Sequence, residues 1–410
     1  MPGIVFGGRC RSWGIVLRAS AEQARREKPG APKRTERNSP LSDEAIMRRA
    51  IGLARTAAGW TNPNPLVGAV VVKDGRIIGQ GCHERFGQLH AERNALKSCS
   101  EDPKGATIYV TLEPCNHTGH QPPCVDALID AGIAKVVVGS RDPNPLVSGK
   151  GNARLRAAGI EVEEDFLRDE CDALNPIFFH YITTKRPYVV SKWAMTADGK
   201  IATATGDARW VSNDASRADT HELRQRLSGI MVGINTVLAD NPELTCRRDV
   251  PSNNPARVVC DSRLRIPLDC TLVATAHEVP TFVACACDTK SGIARRKAAD
   301  LEAAGVAVIC LPASDGRVDL DALMDELGGR GIDSLLVEGG GTLHAQMFSA
   351  NLVDEVVVYV APKVIGGASA KTPVAGAGIP LMADAIALGE PRIDVLDGDV
   401  RLTYTLDRGL

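Results

Sequence analysis

Apolar runs rich in β-branched residues alternate with helix-periodic stretches in two successive series along this chain, and no other feature restricts its fold as much. In the first series Ser42 caps a helix with Asp43 and Glu44 in its first turn and Ile46, Ala50, Leu53 and Ala57 at helical spacing. Residues 66–81 read as two strands joined by a turn at Asp74–Gly75. Then come a helix from His90, a buried strand over 106–115, a helix over 122–132 with proline at its start and Gly132 at its end, and a strand over 134–140. Helix, hairpin, then alternating helix and strand imply a three-layer α/β domain.

A break near Asn175–Pro176 and Lys185–Arg186–Pro187 precedes the second series. Its strand-like runs cover 188–195, 229–234, 256–261, 281–285, 306–311, 333–340 and 354–362. Helix-like runs lie at 215–227, 293–305, 320–329 and 342–351, and 401–406 reads as a closing edge strand. The expected organisation is a basic, disordered tail over 1–41, one α/β domain over 42–184 and a second over 185–410.

A chain of 410 residues buries enough surface to fold without disulfide staples. The 12 cysteines, scattered from Cys10 to Cys310 without a repeating interval, therefore read as small buried apolar residues in a reducing, cytoplasmic compartment. No apolar run approaches the ~18 residues of a membrane span, and no h-region follows a charged start. A net charge of −2 argues against nucleic acid as partner, since such binders are basic. Residues 1–40 hold nine Lys/Arg against three Glu, with prolines at 29, 32 and 40. That composition does not pack. It leaves two readings open, an organelle transit peptide or a floppy tail from an over-called start.

The stretch 112–124, LEPCNHTGHQPPC, carries two cysteines nine positions apart, each directly after a proline. Upstream, His90-Ala91-Glu92 opens a helix. H-x-E followed by P-C and a further Cys is the order found in zinc deaminases. His90, Cys115 and Cys124 would hold one zinc ion and leave the fourth tetrahedral corner to water, whose pKa zinc lowers to about 7. Glu92 is then the catalytic proton shuttle. Two other readings stand beside this one: a structural zinc completed by His117 or His120, and a Cys115–Cys124 disulfide.

Asn62-Pro63-Asn64-Pro65-Leu66-Val67-Gly68, HAERNAL, YVTLEPC, PPC and DPNPLVSGKG resemble the bifunctional riboflavin-biosynthesis deaminase/reductase family, the RibD family. The resemblance runs from Ser42 to the C-terminus and leaves only the basic tail outside. It implies a cytidine-deaminase-like α/β/α domain followed by a dihydrofolate-reductase-like α/β domain. It also implies a phosphorylated small-molecule substrate, 2,5-diamino-6-(5-phosphoribosylamino)pyrimidin-4(3H)-one, which is deaminated and then reduced to 5-amino-6-(5-phosphoribitylamino)uracil. A homo-oligomer is implied, with no nucleic acid and no membrane. Asn62, Asn64 and His117 would meet the ring or sugar. His120 stands where the family motif has Arg.

The second half offers VEGGGTLHAQMF at 337–348, a strand running through three glycines into a helix, as in phosphate cradles. Arg224 and Arg247 could clamp a phosphate. The resemblance implies NADPH held by Ala194, Trp210, Thr236, Asp240, Ser262, Gly340, Gly341, Thr342, Leu343, His344, Ala345 and Gln346. It implies substrate contacts from Ala208, Arg224, Leu244, Arg247 and Glu338, with Lys192 as proton donor to the opening sugar. A nucleoside deaminase with an unrelated partner domain, or a binding protein with a structural zinc, would leave the second half or Glu92 without a role.

Overall fold

The computed structural model describes residues 41–118, 121–144, 148–290 and 292–406. The expected tail lies outside the described residues apart from Leu41, and so does His120. Helix α1 (Asp43–Arg55) begins where Ser42 Oγ accepts the Ala45 N–H at 3.3 Å, with Asp43 and Glu44 against the positive end of the helix dipole. Strands β1 (Gly68–Lys73) and β2 (Arg76–Cys82) form a hairpin. Its two turn residues, Asp74 and Gly75, both take positive φ, 49° and 71°, as the tight primed turn requires. Helix α2 (Ala91–Lys97), strand β3 (Thr107–Leu112), helix α3 (Cys124–Asp130), strand β4 (Lys135–Ser140), helix α4 (Lys150–Ala157), strand β5 (Glu161–Glu163) and helix α5 (Arg168–Asp172) follow.

The sheet order is β2-β1-β3-β4-β5, antiparallel at β2-β1-β3 and parallel from β3 to β5. Successive residues of β3 enter opposite cores, because side chains alternate across a strand. Tyr109 joins Ile46, Met47 and Ala50 of α1, whereas Ile108 and Val110 join Ala91, Val125 and Leu128. The carboxyl end of β3 thus leads directly to Cys115, between the starts of α2 and α3.

Helix α6 (Pro176–Thr184), with proline in its first turn, precedes the second sheet. The elements that follow are β6 (Tyr188–Thr196), α7 (Asp214–Arg226), β7 (Gly229–Gly233), α8 (Ile234–Asp240), β8 (Ala256–Cys260), α9 (Thr271–Ala274), β9 (Thr281–Cys285), α10 (Gly292–Ala303) and β10 (Ala307–Cys310). A small hairpin of β11 (Ala313–Ser314) and β12 (Arg317–Val318) leads to α11 (Leu320–Gly329), β13 (Ser334–Val337), α12 (Gly341–Ser349), β14 (Glu355–Ala361), β15 (Arg392–Leu396) and β16 (Asp399–Thr405). The order is β10-β9-β8-β7-β13-β6-β14-β16-β15. Strands β10 to β14 run parallel, so the carboxyl ends of β6, β13, β7 and β8 share one edge, where open α/β sheets bind ligands.

One expectation is corrected here. The stretch 401–406 is not an edge: β16 lies between β14 and β15, antiparallel to both. The edge is β15, whose Ile393 and Val395 are exposed, so its apolar residues gave no burial pattern to read. The Asp397–Gly398 turn, with φ of 49° and 94°, folds it back onto β16.

Candidate functional site

In the first half three elements converge. His90 is the N-cap of α2, Cys124 is the first residue of α3, and Cys115 follows β3. His90 Nδ1 lies 3.5 Å from Cys115 Sγ and 3.4 Å from Cys124 Sγ, and the three ligand atoms fall within 4.8 Å of one another. A tetrahedral zinc with bonds of ~2.3 Å to sulfur and ~2.0 Å to nitrogen needs S···N separations of about 3.5 Å. The donor set fits zinc in kind and in spacing. Both cysteines are free, and no fourth His, Cys, Asp or Glu joins the group among the described residues. His117 is exposed at the mouth of the adjoining cavity.

The backbone N–H of Cys124 donates to Cys115 Sγ at 3.3 Å. The Cys124 side chain and the His90 imidazole, with this N–H, pull the Cys115 thiol down to about 4 against its burial, while Cys124 is pushed up by the same contact and by burial. Glu92, two residues past His90, is 4% exposed, and burial with the Cys115 charge pushes its carboxyl up to about 7. Asn64, Glu92 and His117 border a cavity of about 260 Å³, with Phe178 and Ile182 of α6 on its wall.

Sequence reasoning missed His83. Its Nδ1–H donates to the Leu89 carbonyl at 3.0 Å, which leaves Nε2 to accept from Asn64 Nδ2 at 3.2 Å. Its ring also packs edge-on against His90, with centroids 5.3 Å apart. This fixes the Asn64 amide with its oxygen free for a ligand, but no motif surrounds His83 to signal it. Glu113 was missed too. Its carboxylate accepts the N–H groups of Gly149, Gly151 and Asn152 at 3.0, 3.1 and 3.4 Å, capping α4 and anchoring the turn before Cys115. Asn62 is placed elsewhere than expected: it is not on the cavity wall, and its amide donates to both Asp333 oxygens at 3.0 Å.

In the second half a cavity of about 980 Å³ opens over the carboxyl ends of β6, β13, β7 and β8. Of the expected cofactor residues, Ala194, Thr236, Asp240, Ser262, Gly340, Gly341, Thr342, Leu343, His344 and Gln346 line it. Ala345 does not, because it faces Gly376, and neither does Trp210, which is 63% exposed beneath the Arg217 guanidinium. Lys192, Ala208 and Glu338 line the cavity, whereas Arg224, Leu244 and Arg247 stand off its wall. Arg224 grips Glu338 through two bonds of 2.8 Å and donates a third to the Thr245 carbonyl. Leu244 is buried, and Arg247 is exposed and donates to Glu243 at 2.9 Å.

Burial works against the charge of Glu338, but Arg224 and Lys192 outweigh it and hold the carboxyl at about 2. Burial lowers Lys192, opposed by Glu338 at 4.0 Å. Burial, with Lys192 nearby, brings His344 down to about 4, so it is the neutral ring that meets Ser191 Oγ at 2.7 Å. Around the glycine turn the wall suits a dinucleotide. Gly339 has φ +131° and open space where a Cβ would stand, and Gly341 and Thr342 open α12, where backbone N–H groups precede the first i−4 acceptor. The buried Trp193 indole N–H, on the same wall, has no acceptor among the described residues.

The sequence matches two known families. Residues 40–140 match the cytidine and deoxycytidylate deaminase zinc-binding region, and residues 187–390 match the RibD C-terminal domain. The riboflavin biosynthesis protein RibD of Actinobacillus pleuropneumoniae is 51% identical over 366 residues, 89% of this chain and 96% of that one. RibD of Escherichia coli is 40% identical over 80% of this chain and 89% of its own length. Form 1 of Acinetobacter baumannii RibD superposes with a TM-score of 0.80 at 36% identity, covering 89% of this chain and 99% of that one. A Thermotoga maritima diaminohydroxyphosphoribosylaminopyrimidine deaminase/5-amino-6-(5-phosphoribosylamino)uracil reductase gives 0.75 at 36% identity, covering 89% and 98%. A deaminase-type zinc triad ahead of a reductase-type dinucleotide cavity, matched nearly end to end by such relatives, means that this chain belongs to the RibD family.

Proposed function

We propose how this bifunctional deaminase and reductase of riboflavin biosynthesis divides its work. The smaller cavity hydrolytically deaminates 2,5-diamino-6-(5-phosphoribosylamino)pyrimidin-4(3H)-one. The larger one reduces the ribosyl group to the ribityl chain of 5-amino-6-(5-phosphoribitylamino)uracil. The domain junction falls between residues 184 and 185. His90, Cys115 and Cys124 hold one zinc per chain, which when bound acts as a Lewis acid toward water. Glu92 takes a proton from water and passes it to the ring nitrogen and the departing ammonia. Its burial supports this role, because a carboxyl pushed up to about 7 both accepts and releases a proton near neutrality. The Asn64 amide, oriented by His83, and His117 at the mouth hold the ring and sugar.

In the second cavity NADPH, when bound, supplies the hydride. The glycine turn and the first turn of α12 hold its diphosphate, and Lys192 donates a proton to the opening sugar. Glu338, locked by Arg224, fixes the position of Lys192. The assembly is a cytoplasmic homo-oligomer. Free cysteines support the compartment, and no helix among the described residues is long and apolar enough to cross a membrane.

The observation that carries the proposal is a histidine nitrogen 3.4 and 3.5 Å from two thiols with Glu92 buried beside them. Glu92→Gln should retain zinc by elemental analysis and lose ammonia release by at least about 100-fold, the usual worth of a positioned acid–base group. Ammonia release at the wild-type rate would remove Glu92 from the mechanism.

A further inference from the structure

We infer that Cys285 and Cys310 form a reactive dithiol, which a hydroperoxide closes to a disulfide, and that this bond acts on the wall of the larger cavity; the second clause rests on the reductase reading above. Cys310 departs from the expectation of small buried cysteines: among the described residues it is the one exposed cysteine. It ends β10, the outer strand of the second sheet on the side away from β15, and Cys285 ends β9 beside it. The two residues are directly paired across these parallel strands. Their Cα atoms are therefore about 4.8 Å apart, inside the ~4.4–6.8 Å that a disulfide spans. Both side chains leave the sheet on one face, because the Cys285 and Cys310 sulfurs lie 3.5 Å apart. The Thr289 hydroxyl stands 2.8 Å from the Cys310 sulfur and can donate to it as a thiolate.

Exposure sets the order of the chemistry. Burial, with Cys310 and Cys287 beside it, pushes the Cys285 thiol up, so Cys310 meets the oxidant first. With hydrogen peroxide, the Cys310 thiolate attacks one oxygen: an S–O bond forms, the O–O bond breaks, and the departing oxygen takes the thiol proton and leaves as water. Cys285 then attacks the sulfenic sulfur: the S–S bond forms, the S–O bond breaks, and the hydroxyl leaves with the Cys285 proton as a second water. Two thiols have passed two electrons and two protons to the peroxide. Thiol reductants reverse the closure, so in a reducing compartment the bond records a pulse of oxidant.

The pair shares one hydrogen-bonded lattice with the cavity wall. The Leu311 N–H donates to the Cys285 carbonyl at 2.9 Å, and the Asp319 N–H to the Pro312 carbonyl at 3.1 Å. Between them the hairpin presents Asp315, Gly316, Arg317 and Val318 to the cavity. Ser262, on the same wall, accepts the Val318 N–H at its hydroxyl at 3.1 Å and the Ala286 N–H at its carbonyl at 3.2 Å. Drawing the sulfurs from 3.5 Å to about 2.05 Å pulls the end of β10 toward β9 and takes the root of the hairpin with it.

The test treats zinc-loaded full-length protein with hydrogen peroxide, removes the excess, alkylates the remaining thiols and maps the peptides by mass spectrometry. A cross-link between Cys285 and Cys310, lighter by two hydrogens and reopened by dithiothreitol, is expected. In the cross-linked protein kcat/KM for NADPH oxidation should fall roughly tenfold, within the ~100-fold that a 1 Å misplacement can cost, and return with dithiothreitol, while ammonia release is kept. Cys310→Ser, at an exposed position, should oxidise NADPH at the wild-type rate and lose its response to peroxide. Cys285→Ala should leave Cys310 to run on to sulfinic acid. Cys310 still alkylated after treatment, joined to Cys287 or to a second chain, or sulfinic in the wild type overturns the dithiol. A mapped cross-link with unchanged NADPH oxidation, or an equal loss of both activities, overturns its action on the cavity. An untreated protein that does not oxidise NADPH overturns the reductase reading, whereas the peptide map reads the dithiol without it.

Discussion

Arg224 shows how a side chain can matter to a reaction while standing off the cavity wall. Read from sequence, it was a phosphate clamp; in the structure its fork is spent on Glu338, 114 positions along the chain. Both groups are about 90% buried at the side chain, so Arg224→Ala would leave a buried carboxylate without its main partner. The expected cost is about 3 kcal/mol of stability in the second half, with NADPH oxidation lost and ammonia release kept; a fall in both activities together would count against this. Glu338 also sets an acid limit. Its carboxyl lies at about 2 when folded and near 4.5 when not, so its stabilisation is complete above pH ~4.5 and disappears as pH falls toward 2. The linkage is worth on the order of 3 kcal/mol. Glu338→Gln should flatten the stability curve in that window, as followed by denaturant melts. His90, Glu92 and the two cysteines were legible because their order along the chain carries the chemistry. Asn62, Arg224 and His83 were not, since their partners are chosen by tertiary packing.

At the scale of elements, strands with one or both faces buried announced themselves through Val and Ile, and helices such as α1 and α11 through caps and periodicity. What escaped includes short helices such as α8 and α9, whose few buried residues make no readable period, and elements without a buried face or an apolar stripe. Strand β15 is one example. Helix α4 is another, with a polar sequence and Gly149 in the left-handed region ahead of it. Its cap is supplied by Glu113, from a different part of the chain, which no local window contains. Glu113→Ala should therefore destabilise by about 1–2 kcal/mol, the worth of a lost cap or charged hydrogen bond. It should also quicken zinc loss to a chelator, because the same carboxylate steadies the turn leading to Cys115. A variant with lowered melting temperature but unaltered zinc release would separate the two roles.

At the scale of the molecule, the two sheets are joined by polar ties. Asn62 reaches Asp333, Gln225 Nε2 donates to the Ala58 carbonyl at 3.3 Å, Asn253 to the Gly59 carbonyl at 2.9 Å, and Tyr181 to the Gly328 carbonyl at 2.9 Å. Asn62→Ala is expected to split thermal unfolding into two calorimetric transitions while deamination persists; a selective loss of deamination with one sharp transition would restore Asn62 to the substrate. Asp333, 2% exposed, immediately precedes β13, and Glu338 immediately follows it. Those four intervening residues span only about 13 Å, so the strand works as a tie-rod, anchored at one end to the deaminating half and presenting the reducing centre at the other. A second half expressed alone should fold, but with one oxygen of Asp333 stripped of its donor and the rod loose at its anchor. Joining the two chemistries in a single polypeptide is then a matter of bracing as much as of gene order.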